Sequence, residues 1–320
     1  MTLSKHKSKA RKFLLLAIAS LVVTLLVAGA IYWYIYIAGA PQLDPPQETT
    51  KNTGMQFEVE TYYSKGMEEQ RKYGLILPPD YKPNSSQRYP VIFLLHGGPG
   101  DERDWAKKGA AITIIYQLYQ QDKLPHAIVI TPDGNDKRGS APFRDPQYYD
   151  GPNGKVSTML GSDLVEVIKS RYRTLDSPKF WAMGGLSSGG WGSLNIGLRH
   201  LDNFNVLFSH SSYFTDESGP QNSPQDFVSQ IPVQERQLLR IYLDAGADDK
   251  KYLASTRKFH ETLNQLGIAN VFYVFPGGHG INGANVGWNY WNKHLVDSLS
   301  YVGKNFKIAL SQKPSSKQQN

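Results

Sequence analysis

Cysteine is absent from all 320 residues, which excludes disulfides, zinc–thiolate sites and thiol nucleophiles together. Any covalent catalysis must therefore use an oxygen or an amine. A basic body is also missing, although the formal charge is +7. Residues 1–12 carry five bases (Lys5, Lys7, Lys9, Arg11, Lys12) and no acid, and residues 301–320 carry four Lys and no acid. Without those nine bases, 26 of the 35 remain against 28 acids, so a nucleic-acid-binding face loses its support. Charge is wholly absent from Phe13 to Ile37, 25 residues in succession. At about 1.5 Å per helical residue this run exceeds the roughly 30 Å hydrocarbon core of a bilayer. The chain as a whole, 40% hydrophobic and 20% charged, is globular in composition.

These absences divide the chain. Residues 1–12 are expected to be a basic cytoplasmic N-terminus and 13–37 a transmembrane signal anchor, with Tyr32, Trp33, Tyr34 and Tyr36 as an interfacial aromatic belt. The basic cluster before the span places everything after it outside the cytoplasm. A cleaved signal peptide ending at Ala28-Gly29-Ala30 or Ala38-Gly39-Ala40, and hence a secreted protein, is the alternative. Residues 38–56, with Pro41, Pro45 and Pro46, read as a linker, 57–308 as one domain, and 309–320 as a disordered tail.

Within the domain, short apolar runs alternate with helical patterns. Tyr73–Leu77, Val91–Leu95, Ala127–Ile130, Phe180–Met183, Val206–Ser209, Ile241–Leu243 and Val271–Phe275 are expected strands. Ala111–Gln120, Leu164–Arg171, Trp191–Leu201 and Leu253–Leu266 are expected helices. Such alternation implies an α/β fold, with a mostly parallel sheet flanked by helices. In sheets of this kind, ligands meet the carboxyl ends of the strands.

Three strand ends carry chemistry. Gly185-Leu186-Ser187-Ser188-Gly189 follows Phe180–Met183 and precedes a helix, the GxSxG spacing of a strained turn that presents Ser187 as a nucleophile. Ser188 is the rival hydroxyl, but Leu186 would crowd its turn. His96-Gly97-Gly98-Pro99-Gly100 follows Val91–Leu95, where backbone N–H groups can approach an oxyanion together with that of Ser188. Of eight His, His279 alone stands in a glycine-rich loop after the last strand and after the expected acid, which makes it the candidate base. His210 also follows a strand, and is read as a structural or pocket-wall residue. The acid is Asp249 or Asp248, after Ile241–Leu243; one would orient His279 and the other cap the next helix.

Taken in order, Tyr89-Pro90, HGGPG, Trp105, Tyr172-Arg173-Thr174, Gly185-Leu186-Ser187-Ser188-Gly189-Gly190, Leu198-Arg199-His200, Gly246-Ala247-Asp248-Asp249, Gly277-Gly278-His279 and Trp288-Asn289-Tyr290-Trp291 resemble the putative esterase family of the α/β-hydrolase superfamily over about residues 57–308. This is the group of esterase D, feruloyl esterases, enterobactin esterases and mycolyltransferases. The resemblance implies an α/β-hydrolase fold with Ser187 as nucleophile, Asp249 as acid and His279 as base, and with Gly98 and Ser188 forming the oxyanion hole. The function expected is a serine carboxylic-ester hydrolase facing outside the cytoplasm and using no metal or organic cofactor. An acyltransferase using the same residues and a non-catalytic module on a hydrolase fold are the alternatives. The expected substrate is a small-molecule or carbohydrate-linked ester, with Tyr148, Tyr149 and Trp288 as candidate contacts; no nucleic-acid partner is expected. The family places its WNxW-like segment directly after the His, whereas here Gly280–Gly287 intervene.

Overall fold

A computed structural model describes residues 2–33, 53–141, 144–280 and 283–312. The chain divides into two units, Met1–Pro41 and Gln42–Asn320. The first holds one helix, α1 (Thr2–Tyr32), in which Lys9–Tyr32 is long and apolar enough to cross a membrane. Leu14, Leu16 and Leu26 on it are exposed. Residues 34–37 of the expected span, most of the expected linker and residues 313–320 of the expected tail lie outside the described residues.

The second unit is built on an eight-stranded sheet in the order β1 (Phe57–Ser64), β2 (Glu69–Ile76), β4 (Ile128–Pro132), β3 (Val91–Leu95), β7 (Trp181–Leu186), β8 (Val206–His210), β9 (Arg240–Gly246) and β10 (Asn270–Phe275). From β4 to β10 all neighbours run parallel, while β1 pairs with β2 and β2 with β4 antiparallel. Val91, Ile92, Phe93, Leu94 and Leu95 are completely buried, each such side chain contributing about 1.5–3 kcal/mol relative to exposure. A parallel sheet must be covered on both faces, and two apolar clusters do this. One contains Trp181, Leu194 and Phe259; the other contains Trp105, Ile115, Leu295 and Phe306.

Helices fill the connections: α2 (Asp104–Lys107) and α3 (Ala111–Gln120) after β3, then a small hairpin β5 (Asp150–Gly151) and β6 (Gly154–Lys155) beyond β4. Next come α4 (Val156–Thr158) and α5 (Leu164–Arg171), and α6 (Ser188–Gly197) directly after β7. Two short helices, α7 (Pro224–Phe227) and α8 (Val233–Arg236), precede β9; α9 (Lys250–Gln265) separates β9 from β10, and α10 (Trp288–Ser311) ends the unit.

Two boundaries differ from expectation. Helix α10 continues to Ser311, three residues beyond the expected end of the domain at 308, and buries Ala309. Thr53 and Met55, assigned to the linker, are buried, and Thr53 caps the Met55 backbone N–H at 3.1 Å.

Candidate active site

Strand β7 passes into α6 through Ser187, whose φ of 52° and ψ of −124° place it in the region that non-glycine residues avoid. Its neighbours explain why the turn can be this tight. A Cβ at Gly185 would come within 2.6 Å of the Gly189 and Leu95 carbonyl oxygens, and one at Gly189 within 2.4 Å of that of His96. The backbone then closes: Ser187 N–H donates to the His210 carbonyl (3.0 Å), and the Gly190 and Trp191 N–H groups donate to that of Ser187. Ser187 is half-buried and reachable, whereas Ser188 is buried with its hydroxyl unpaired. Ser188 begins α6, where the first N–H groups of a helix have no intrahelical acceptor.

The loop after β3 is braced from several sides. Gly134 N–H donates to His96 Nε2 (3.0 Å), which leaves His96 Nδ1 to donate to the Gly97 carbonyl at 2.8 Å. Trp105 Nε1 donates to the Leu95 carbonyl and Tyr148 hydroxyl to that of His96 (2.7 Å). Gly97 packs on Leu186 and Ser187, while Gly98 lies against Asp145. Burial pushes the Asp145 carboxyl up; His279 lowers it and Asp216 raises it further.

At the ends of β9 and β10, His279 Nδ1 donates to Asp249 Oδ2 at 2.7 Å, and the His279 backbone N–H donates to the same carboxylate at 2.9 Å. Gly278, at φ 139°, makes this possible: a Cβ there would sit 2.3 Å from Asp249 Cγ. Partial burial pushes the Asp249 carboxyl up, but the hydrogen bond and charge of His279, its backbone N–H and the Ser211 hydroxyl together hold it below the usual carboxylate range. The other ring nitrogen, His279 Nε2, is buried and unpaired. The described end of the insertion, 283–287, folds back on Gly278, with Gly278 N–H donating to the Asn285 carbonyl and Gly287 N–H to that of Gly278. Asp248 is exposed, and α9 has no side-chain cap: Asp249 occupies the N-cap position but directs its carboxylate to His279.

Tyr252, in the first turn of α9, stacks on the His279 ring with centroids 4.5 Å apart. Tyr252 is half-buried. Burial is the main cause of its raised pKa, and Asp145 and Asp249 add to it. Tyr252 also lines a cavity of about 580 Å³ together with Tyr149, Trp191, Tyr213, Arg138 and Asp145. Of the three aromatic contacts expected for a substrate, Tyr149 alone lines this cavity. Tyr148 is completely buried beneath it, with its ring over Gly134 and Gly192, because its hydroxyl serves the His96 carbonyl. Trp288 packs edge-on against Trp105 and Trp291. Sequence reasoning missed Tyr252, Tyr213 and the Ser211-Ser212 pair. Tyr252 had one signal, its place three residues after Asp249 in the opening turn of a helix. Among the described residues no group of three or more His, Asp or Glu could hold a metal.

A serine on this kind of elbow, at the carboxyl ends of a mostly parallel sheet covered by helices, defines an α/β-hydrolase. The chain belongs to the putative esterase family, whose sequence model matches residues 64–302, and it is a serine carboxylic-ester hydrolase. An acetyl esterase of Caldicellulosiruptor saccharolyticus is 24% identical over 279 residues, covering 76% of this chain and 96% of that protein. A Corynebacterium glutamicum protein is 24% identical over 264 residues, and there the match takes in 75% of this chain but spans 58% of the relative's length. A ferulic acid esterase of known structure superposes with a TM-score of 0.69 at 25% identity, covering 79% of this chain and 98% of that one.

Proposed function

We propose that Ser187, His279 and Asp249 form the catalytic triad of this ester hydrolase. His279 Nε2 takes the Ser187 hydroxyl proton as Oγ adds to the ester carbonyl carbon. The oxyanion that forms is received by the backbone N–H groups of Gly98 and Ser188. Collapse breaks the bond to the alcohol oxygen, His279 returns the proton to that oxygen, and an acyl-enzyme remains on Ser187. Water then repeats the sequence and releases the acid. Asp249 keeps the His279 proton on Nδ1 and stabilises the imidazolium formed in each half. The observation that carries this reading is the His279 ring: it is fixed by Asp249 at 2.7 Å, capped by Tyr252, and left with Nε2 unpaired.

The cavity beside the site supports one substrate class. Tyr149, Trp191, Tyr213 and Tyr252 offer ring faces, with Trp191 and Tyr213 stacked on each other at 5.5 Å. Arg138, Arg144 and Lys251 are balanced there by Asp145, Asp216 and Glu217. A cavity with aromatic walls and no net charge suits an ester of an aromatic acid or of a sugar. The likeness to a ferulic acid esterase and an acetyl esterase agrees with this. The test is a panel of aryl and acyl esters with fluorophosphonate labelling. Ser187→Ala should lose turnover by on the order of 10⁴ to 10⁶ and all labelling, while Ser188→Ala keeps most activity through its retained N–H. Labelling at any other residue would overturn the assignment.

The same reading places the hydrolase domain outside the cytoplasm, anchored by α1. Five bases precede the apolar segment, and its leucines have no protein cover. Protease added to intact cells should then remove the domain and spare the extreme N-terminus. A mature soluble chain beginning near residue 30 or 41 would show a cleaved signal instead.

A further inference from the structure

Behind the candidate triad lies a second run of Ser, His and Asp. His210 Nδ1 meets Asp244 Oδ2 at 2.5 Å, and its Nε2 meets Ser298 Oγ at 3.0 Å. Asp244 Oδ1 accepts from the Tyr290 hydroxyl at 2.8 Å. His210 and Asp244 have no exposed side-chain surface, so this set is no second active site: no substrate reaches Ser298. Ser298 and Tyr290 are eight residues apart on α10, close to the same face after about two turns.

His210, Ser211 and Ser212, at the end of β8, bond the backbone on both sides of the proposed triad. The His210 carbonyl accepts the Ser187 N–H at 3.0 Å, and Ser212 Oγ donates to the Ser187 carbonyl at 2.6 Å. Ser211 between them is held at φ 42°, with its N–H donating to the Asp244 carbonyl at 2.9 Å. Ser211 Oγ accepts the Gly246 N–H at 2.9 Å, and the Gly246 carbonyl in turn accepts the Asp249 N–H at 3.1 Å. A simple packing role would require none of these directed contacts. We propose that the buried Ser298–His210–Asp244–Tyr290 set, acting through Ser211 and the Gly246 backbone, is a positioning network that fixes the turn carrying Asp249, and through it His279, relative to Ser187. Tyr290 and Ser211 are positioning residues in this scheme, because neither touches the ester.

The inference rests on the triad assigned above, and a double-mutant cycle on the full-length enzyme separates the two. Tyr290→Phe and Ser211→Ala are each made in the wild type and in Asp249→Asn, with kcat and KM measured on an activated aryl ester and melting temperature recorded. Each is expected to lower kcat about tenfold in the wild type with KM unchanged, and less than about twofold once Asp249 is Asn, as for residues in one hydrogen-bond network. The same factor in both backgrounds, or a change in melting temperature or KM alone, would overturn the network's role. If Asp249→Asn itself leaves kcat intact, the triad assignment falls, and the network loses its target with it.

Discussion

The molecule contains two His–Asp pairs of the same chemistry and opposite circumstance. His279 and Asp249 meet at 2.7 Å at the cleft, with the His279 side chain 28% exposed; His210 and Asp244 meet at 2.5 Å with none. Both rings offer Nδ1 to a carboxylate. The difference lies at the distal nitrogen, which is unpaired in His279 and engaged by Ser298 in His210. An imidazole–carboxylate pair becomes a general base through what is left open at its far end. Buried and satisfied at both nitrogens, the same pair becomes a structural clamp.

Removing each histidine should therefore damage different quantities. His279→Gln is expected to cost turnover on the order of 10⁴ to 10⁶ with little change in melting temperature. His210→Leu leaves the Asp244 charge buried without its partner and should cost about 3–5 kcal/mol of stability, seen in denaturant titration. If the His210 variant melts like the wild type, the pair is no clamp. If the His279 variant turns over normally, the base lies elsewhere.

The acids sharpen the contrast at smaller amplitude. Asp249→Asn should lower turnover on the order of 10² to 10⁴, while Asp248→Asn, altering an exposed side chain, changes it little. A depressed carboxyl contributes stability that is fully present above its unfolded pKa and lost as pH falls through the folded value. The melting-temperature gap between wild type and Asp249→Asn should accordingly be constant at neutral pH and close below about pH 4. A gap that widens in acid would reverse the sign assigned to Asp249.

Much of this arrangement was legible in the sequence because the chemistry follows strand ends. Val91–Leu95, Ala111–Gln120 and Leu164–Arg171 occur with the expected bounds, since continuous apolar runs and clean helical periodicity leave little to tertiary context. Strand β1 escaped notice because its pattern is inverted: Val59 and Tyr63 face solvent, while Tyr62 and Ser64 point inward, Ser64 to bond Asp163 at 2.7 Å. The Trp288–Trp291 signature is the opening of α10, a helix that no expected element covered. The strained turn at Ser187 and the pairing of His279 with Asp249 were readable from turn residues and chain order. Ser211 and Tyr252 were not, because their places depend on a positive φ and a ring stack that no spacing encodes. Tyr148 was misjudged for a related reason: an aromatic in a glycine-rich loop resembles a ligand contact until the hydroxyl finds a buried carbonyl.

The backbone of Ser187 has a consequence for the economy of the whole fold. Holding a side chain at φ 52° costs about 1–3 kcal/mol, whereas glycine there would relieve that strain and give back about 0.4–1 kcal/mol through a looser unfolded chain. Alanine keeps the strain and loses only the hydroxyl. Of two equally dead enzymes, the glycine form should thus be the sturdier, and sturdier than the living one. With Ser187 as the proposed nucleophile, reactivity at this position is maintained against a standing thermodynamic gradient toward a more durable protein that does nothing.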